Sequence, residues 1–539
     1  MAITTAGEVM PAALLNDVVP GYVDYNGRPS IRSKSGLWKS ASFIAGAGTA
    51  ERFCYYGISS NLVSYLTGEL GQSTAAAAAN LNAWNGTAAL SPILGALLAD
   101  SLLGRFRMIV FSSMLYILGL CLLTLSSAII SLSSTSCKNN ENNNDTSSCY
   151  PSEIQTIFFF CCWYVVAFAQ GGHKPCLQAF GTDQFDVRDD EENAAKSSFF
   201  NWWFITTCLG GVLALSVVTY IQDNLSWVIG FGIPTVAMLF SLLLFCIGSL
   251  RYRFSTERKR KNQRHPFLRM FRVFVQKRKP SHLEVLLPVS EEDPEEVKAI
   301  MVRLVPIWCT SLGYAIVYAQ PLTLFTKQAA TMDRRIGPSF EIPAASFIIC
   351  IALSDMLFVS IYDRVFVPIA SSITKKPSGI SIFQRIGVGQ LLSLLSIVFA
   401  AVVETRRLRT AREHGLVDRP DAMIPMSVWW LAPQYMLFGI SDVFGMIGLQ
   451  EFFYDQAPSE LKSTGLALYL SIIGVGNLAS GFLVSVIQNA TSGDGAGGWF
   501  SDNLNRAHLD YFYWLLAGIS AVSLVGYVYF AKCIKDANQ

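Results

Sequence analysis

Histidine is scarce, five in 539 residues, and neither the histidines nor the twelve cysteines fall at spacings that hold a metal ion. No glycine-rich loop of the phosphate-cradling kind is present. Charge is thin as well: only 15% of residues are Asp, Glu, Lys or Arg, and the formal net charge of +2 argues for no nucleic-acid partner. Met1 to Ser40 lacks the apolar core of a secretory leader and contains Pro11, Pro20 and Pro29, so the N-terminus is expected to stay in the cytosol. With no nucleophile–base pair in the apolar runs either, an enzyme is disfavoured and no metal or cofactor is expected.

What the chain has in plenty is apolar sequence. At 52% hydrophobic residues and a mean hydropathy of +0.38, it is too apolar for a soluble protein of this size and reads as a multi-pass membrane protein in contact with the lipid bilayer. Most cysteines, such as Cys54, Cys121, Cys161, Cys162, Cys176, Cys208 and Cys309, lie inside apolar runs, where a thiol packs as a small hydrophobe. Cys137 and Cys149 instead bracket a polar loop with a glycosylation sequon at Asn144. Such a loop suits a lumenal or extracellular side, with the two cysteines either bonded as a disulfide or left as free thiols.

Spanning a bilayer takes about 20 apolar residues. Runs of that kind fall near 45–66, 75–98, 108–131, 153–176, 198–220 and 227–250, then near 297–319, 343–362, 380–403, 427–453, 464–486 and 510–529. Between the two sets, residues 251–279 hold twelve Lys and Arg, followed by acids at 291–296. The expected organisation is a cytosolic arm (1–40), a six-helix bundle (41–250), a charged cytosolic linker (251–296), a second six-helix bundle (297–531) and a cytosolic tail (532–539). The linker is a solvated segment that fixes topology, or it carries a basic amphipathic helix at HPFLRMFRVFVQ. Six runs, a linker and six runs predict an all-α membrane protein of the major facilitator fold, with 12 transmembrane helices in two six-helix bundles around a midplane site. The turn with Asp100, Gly104, Arg105 and Arg107 is basic and therefore cytosolic, a candidate gate turn. One loop departs from the positive-inside rule: that between runs nine and ten, with Arg406, Arg407, Arg409, Arg412 and Arg419.

Charge within a span marks a transport path. Glu51 and Arg52 sit side by side in the first run, where one such group costs at least roughly 2.5 kcal/mol, so each needs a partner on a bundle interior or a wet path. Tyr55 and Tyr56 follow one turn later, on the same faces as Glu51 and Arg52 respectively. In the fourth run Lys174 is a second intramembrane base, next to His173, which is either a relay or a packed ring. The acids from Asp183 to Glu192 either pair with Arg105 or Arg107 or form a solvated face.

These stretches resemble a known family. AERFCYYGISSNLVSYL, LADSLLGRF, HKPCLQAFGTDQFD, SSFFNWWF, the Tyr362–Arg364 triplet YDR, WWLAPQYMLFGISDVFGMIGLQEFFYDQAP and LNRAHLDYFYWLLA are similar to the plant nitrate/peptide transporter family within the proton-coupled oligopeptide transporters. The resemblance covers nearly the whole chain. It implies alternating access with protons as the coupling ion, held through an ExxER motif whose second acid and base are Glu51 and Arg52, a fourth-helix lysine at Lys174 and a tenth-helix acid at Glu451. The first acid of the motif is replaced by Gly48, which predicts weakened coupling, unless Gly48 serves close helix packing and the remaining acids carry the proton. A seventh-helix histidine of the nitrate-binding member is replaced by Tyr318, before Gln320, so no imidazolium is offered to an anion. Tyr55, Tyr56, Trp203, Tyr318 and Phe453 are candidate pocket aromatics, or else helix packing, and Gln320 is a further candidate pocket residue. The expected function is secondary transport of a small solute (nitrate, peptide, hormone or specialised metabolite) across a plant plasma or vacuolar membrane, with both termini cytosolic and one chain as the functional unit. A facilitator, an exporter or a non-transporting sensor on the same fold is the alternative.

Overall fold

A computed structural model describes residues 17–99, 103–139, 150–186, 188–255, 294–337, 340–375, 380–420, 422–456, 462–492 and 498–537. Twelve main helices carry the fold. In the first half they are α1 (Leu37–Ser59), α2 (Thr74–Leu98), α3 (Arg105–Asn139), α4 (Glu153–Thr182), α5 (Asp190–Leu213) and α6 (Trp227–Gly248). In the second half they are α7 (Pro294–Tyr318), α8 (Ile349–Ile361), α9 (Ile382–Glu413), α10 (Ala432–Asp455), α11 (Lys462–Thr491) and α12 (Leu509–Ala537). Helix α5 runs on through a π-helical turn at Ala214–Val218, and α8 through another at Tyr362–Phe366.

Among the described residues, nine helices are long and apolar enough to cross a membrane by themselves. The other three are α1, α2 and α7, and their weaker apolarity has a local cause. Helix α1 carries Glu51 and Arg52, α2 is alanine- and asparagine-rich, and only Leu304–Tyr318 of α7 is apolar throughout. Helices shielded from lipid by their neighbours can afford such sequences.

The two halves repeat. α1 packs on α5 and α6 as α7 packs on α11 and α12; α3 packs on α4 and α6 as α9 packs on α10 and α12; α2 meets α4 as α8 meets α10. The bundles touch along two seams that the same repeat relates, α2 with α11 and α5 with α8. Hydrogen bonds join them in the half away from the linker: Asn82 Nδ2 donates to Ser480 Oγ (3.1 Å), the Thr74 amide to Asp502 Oδ1 (2.8 Å), and Ser346 Oγ to the Leu215 carbonyl (2.6 Å). Lys327 Nζ donates to Thr67 Oγ1 in the same region. The apolar core of the second bundle there takes in Ala75, Ala78 and Leu215 of the first.

Short strands interrupt the all-helical picture. Residues 17–36, expected as a plain arm, contain β1 (Val18–Val23) and β2 (Pro29–Ile31), which pair with β3 (Phe254–Ser255) at the start of the linker in the order β2-β1-β3. Helix α1 accordingly begins at Leu37, earlier than the apolar run implies. The clamp is ionic: Arg253, fully buried, donates from Nη1 to Glu192 Oε2 (2.6 Å) and from Nη2 to the Ser35 carbonyl (2.8 Å). Arg32 bridges Asp186, Asp189 and Glu192 at 2.7–2.9 Å. Of the acids after α4, Asp183, Asp186, Asp189 and Glu192 are thus bound by arginines, Asp183 by Arg105 Nη1 at 2.5 Å, while Asp190 and Glu191 are exposed.

The arginines that broke the positive-inside rule prove to lie mostly on α9, which extends to Glu413. Arg407 is fully buried, paired with Glu404 at 2.6 Å one turn back and bonded to Asn505 Oδ1 (2.9 Å) and the Leu504 carbonyl (2.8 Å). Arg406 lies over the Trp430 ring at 4.2 Å. Arg406 and Arg407 thus serve packing, while Arg409, Arg412 and Arg419 stay exposed.

Candidate functional site: a charged cavity between the bundles

Helix α1 brings its two charges to different neighbours. Glu51, 3% exposed, receives Arg52 Nε at 2.8 Å and Gln170 Nε2 of α4 at 3.2 Å. Arg52 lies 5.2 Å from the Tyr55 ring centre and reaches onward into a cavity of about 160 Å³ between the bundles. The first bundle lines that cavity with Arg52, Tyr56, Thr207, Cys208, Gly211 and Leu215; the second with Tyr318, Pro321, Leu322, Ile348, Ile351, Ala352, Asp355, Phe438 and Asp442. A cation therefore faces two carboxylates across an aromatic and aliphatic chamber. Desolvated charges in such a chamber act far more strongly than in water.

Asp355 of α8 and Asp442 of α10 escaped the sequence reading. The rule that singled out Glu51, that an ionisable group in a span marks a path, applies to them equally. Asp442 accepts the Tyr314 hydroxyl of α7 at 2.5 Å, whereas Asp355 Oδ1 is buried without a hydrogen-bond partner.

Among the described residues Lys174 makes neither a hydrogen bond nor an ion pair; it is exposed, near enough to Glu51 and Arg52 to feel their charges. Its direct pairing with an acid does not appear, because Arg52 and Gln170 occupy both Glu51 oxygens. His173 beside it is buried, its Nδ1 without a partner. Glu451 is placed away from the cavity: it is half exposed and pairs with Arg385 Nη1 at 3.2 Å. Asp442 lies nine residues earlier on α10, two and a half turns, so the two acids leave the helix on opposite faces.

Of the candidate aromatics, Tyr56 and Tyr318 line the cavity. Tyr55 stacks on Trp84 (centroids 5.8 Å) and donates to Asn85 Oδ1 (3.1 Å), and Phe453 packs against Phe452 in the core. Trp203 lies against Gly48: a Cβ there would come within 2.5 Å of its ring. Gln320 is buried, donating to the Ile316 carbonyl (2.9 Å) and Ser480 Oγ (3.0 Å), a tie within the second bundle. In the candidate gate turn, Gly104 adopts φ +78°, a conformation glycine tolerates, and Arg105 holds Asp183 and the Ala179 carbonyl. Asp100, Cys149, Asn144 and the side chain of Cys137 lie outside the described residues, so the disulfide and sequon stay as expectations.

Two repeated six-helix bundles around a charged chamber have the architecture of the major facilitator fold. The POT family model matches residues 106–500, and the chain belongs to that family. It is 53% identical to Protein NRT1/ PTR FAMILY 5.10 of Arabidopsis thaliana over 95% of each chain, and 48% identical to Protein NRT1/ PTR FAMILY 5.14 of the same plant over 98% of each. Among solved structures it is similar to an auto-inhibited POT family peptide transporter (TM-score 0.70, 18% identity, 92% of this chain and 96% of the other). It is also similar to a POT family transporter in complex with 5-aminolevulinic acid (TM-score 0.65, 15% identity, 92% and 98%).

Proposed function

We propose that the protein moves a small organic solute across a plant plasma or vacuolar membrane by alternating access, with protons as the coupling ion and both termini in the cytosol. The observation that carries this reading is the chamber itself, with Arg52 on one wall and Asp355 and Asp442 on the other. Opposed charges of this kind suit a solute with polar ends and an apolar middle, and Tyr56, Tyr318, Ile348 and Phe438 supply apolar contact. Tyr318 brings no cation, which speaks against nitrate bound from the second bundle and for a peptide, hormone or specialised metabolite. The complex of one similar transporter with 5-aminolevulinic acid agrees with a small organic solute. Both walls come from one chain, so a monomer is the working unit.

A second reading rests on Gly48. With one acid fewer on α1, coupling is weakened, and the protein works nearer to a facilitator or an exporter, or as a sensor that moves nothing. One experiment separates these: expression in oocytes, a screen of nitrate, di- and tripeptides, plant hormones and glycosides at acid and neutral external pH, with uptake and current recorded together. Accumulation with inward current that grows in acid supports the symporter. Uptake that only equilibrates, without current, supports the facilitator, and absence of flux in every case supports the sensor.

A further inference from the structure

The second-bundle wall of the cavity holds a feature that α1 lacks. Asp355 and Asp442 line the same chamber, from neighbouring helices α8 and α10 that pack directly on one another. Helix α10 closes on Asp355, since a Cβ on Gly439, one turn before Asp442, would lie 3.2 Å from Asp355 Oδ1, and the two acids are near enough to feel each other's charge. Two carboxylates so placed in a cavity walled mostly by apolar groups repel, and the pair lowers its energy by holding one proton rather than none.

The surroundings decide which acid holds it. Asp442 takes the Tyr314 hydroxyl, which stabilises its anion. Among the described residues no donor reaches Asp355 Oδ1, and a buried, unpaired carboxylate oxygen is costly unless the group is protonated. Around Asp355 the facing groups are neutral phenols and a thiol, Tyr56 of α1, Cys208 of α5 and Tyr318 of α7, together with the Arg52 cation. Tyr469 of α11 stands on the Asp442 side. Arg52 is bonded to Glu51, and among the described residues neither Asp355 nor Asp442 forms a salt bridge.

We propose that Asp355 and Asp442 share one proton, held chiefly on Asp355, on the wall facing Arg52, and that this pair is the proton-holding site that α1, with Gly48 in place of an acid, does not provide. The step balances simply. The Asp355 O–H bond breaks, its proton passes to cavity water, and the pair goes from one negative charge to two. The added charge faces Arg52 across the gap and draws the α1 and α8 walls together; reprotonation relaxes them.

The proposal rests on the transporter reading above, and its test needs no solute. Infrared spectra of the purified full-length protein in lipid nanodiscs are taken from acid to alkaline pH, in H2O and D2O. At neutral pH the wild type minus Asp355→Asn difference should show a protonated-carboxyl C=O band that shifts in D2O, and the wild type minus Glu51→Gln difference should not. In Asp442→Asn the titration midpoint of that band should fall by about one pH unit or more, as a neighbouring negative charge is removed. If Asp355→Asn fails to fold, Asp355→Glu should displace the same band. Absence of the band from wild type at neutral pH, or its persistence in Asp355→Asn, overturns the proposal. A protonated pair in a chain that shows no flux in oocytes would overturn the transport reading alone.

Discussion

The two seams between the bundles are related by the internal repeat, yet they are built differently. Along α2 and α11 the backbones approach closely: a Cβ on Gly86 would lie 2.9 Å from the Gly474 carbonyl oxygen, and one on Gly481 3.0 Å from that of Ala79. Asn82 and Ser480 add a buried hydrogen bond. Along α5 and α8 contact is sparse, both helices carry a π-helical turn, and the space between them is the charged cavity. A close-packed seam beside an open one is a geometry in which one edge pivots while the other changes width. Of the two π turns, that of α5 reaches the cavity through Leu215, while that of α8 packs Tyr362 and Phe366 on Phe444.

The largest way to break this contrast is to remove charge from the open seam. Arg52→Ala strands Glu51 in a buried site, and the expected loss is about 3–5 kcal/mol of stability, read as a fall in unfolding temperature of the purified protein. Glu51→Gln combined with Arg52→Met should recover most of that stability while abolishing uptake. Next comes the tight seam. Gly86→Val should cost about 1–3 kcal/mol by overpacking against Leu478 and the Gly474 backbone, with transport falling in step with surface expression.

A smaller effect sharpens the part played by Gly48. Since Trp203 fills the space over it, Gly48→Glu alone should lower expression without strengthening acid-driven uptake, whereas Gly48→Glu with Trp203→Ala should restore expression. Uptake of any solute found in the oocyte screen, compared at acid and neutral pH, checks both; a gain in pH dependence from Gly48→Glu alone would count against the packing role.

The smallest effect lies at the far end. Burial lowers the Lys327 amine to about 8, partly offset by Asp502, in a contact with Thr67 that bridges the bundles. The closed contact therefore binds fewer protons than an open one with an ordinary lysine. Raising pH through about 8 toward the usual lysine range should favour closure, and lowering it should loosen the contact. Spin-label distances between the bundles at this end, wild type against Lys327→Met, should show the pH dependence only in the wild type.

Much of the fold could be read from the chain, because hydrophobic length is a local property and the twelve runs announce themselves one by one. The Glu51–Arg52 pair was legible for the same reason. What escaped depends on residues far apart in sequence. The tenth-helix acid was assigned to Glu451, but helical phase sends that residue to Arg385 and leaves Asp442 on the cavity. Asp355, an acid inside an apolar run, was open to the same rule as Glu51, but its unpaired oxygen becomes visible only once α10 is laid beside it. Trp203 lies over Gly48 from another helix, so the steric reason for a glycine there is absent from α1 itself. Arg407, counted as a loop charge, is a core residue because α9 outlasts its apolar stretch.

The clamp of Arg253 on Glu192 and Ser35 has a practical use. It fixes the first residues of the linker to the first turn of α5 and to the residues before α1 through buried charge, so β3 travels with the first bundle as one solid piece. A fluorophore attached at Ser255 would thus be a stationary beacon, and energy transfer from it to an acceptor on the exposed Lys535 end of α12 would report the second bundle's motion alone.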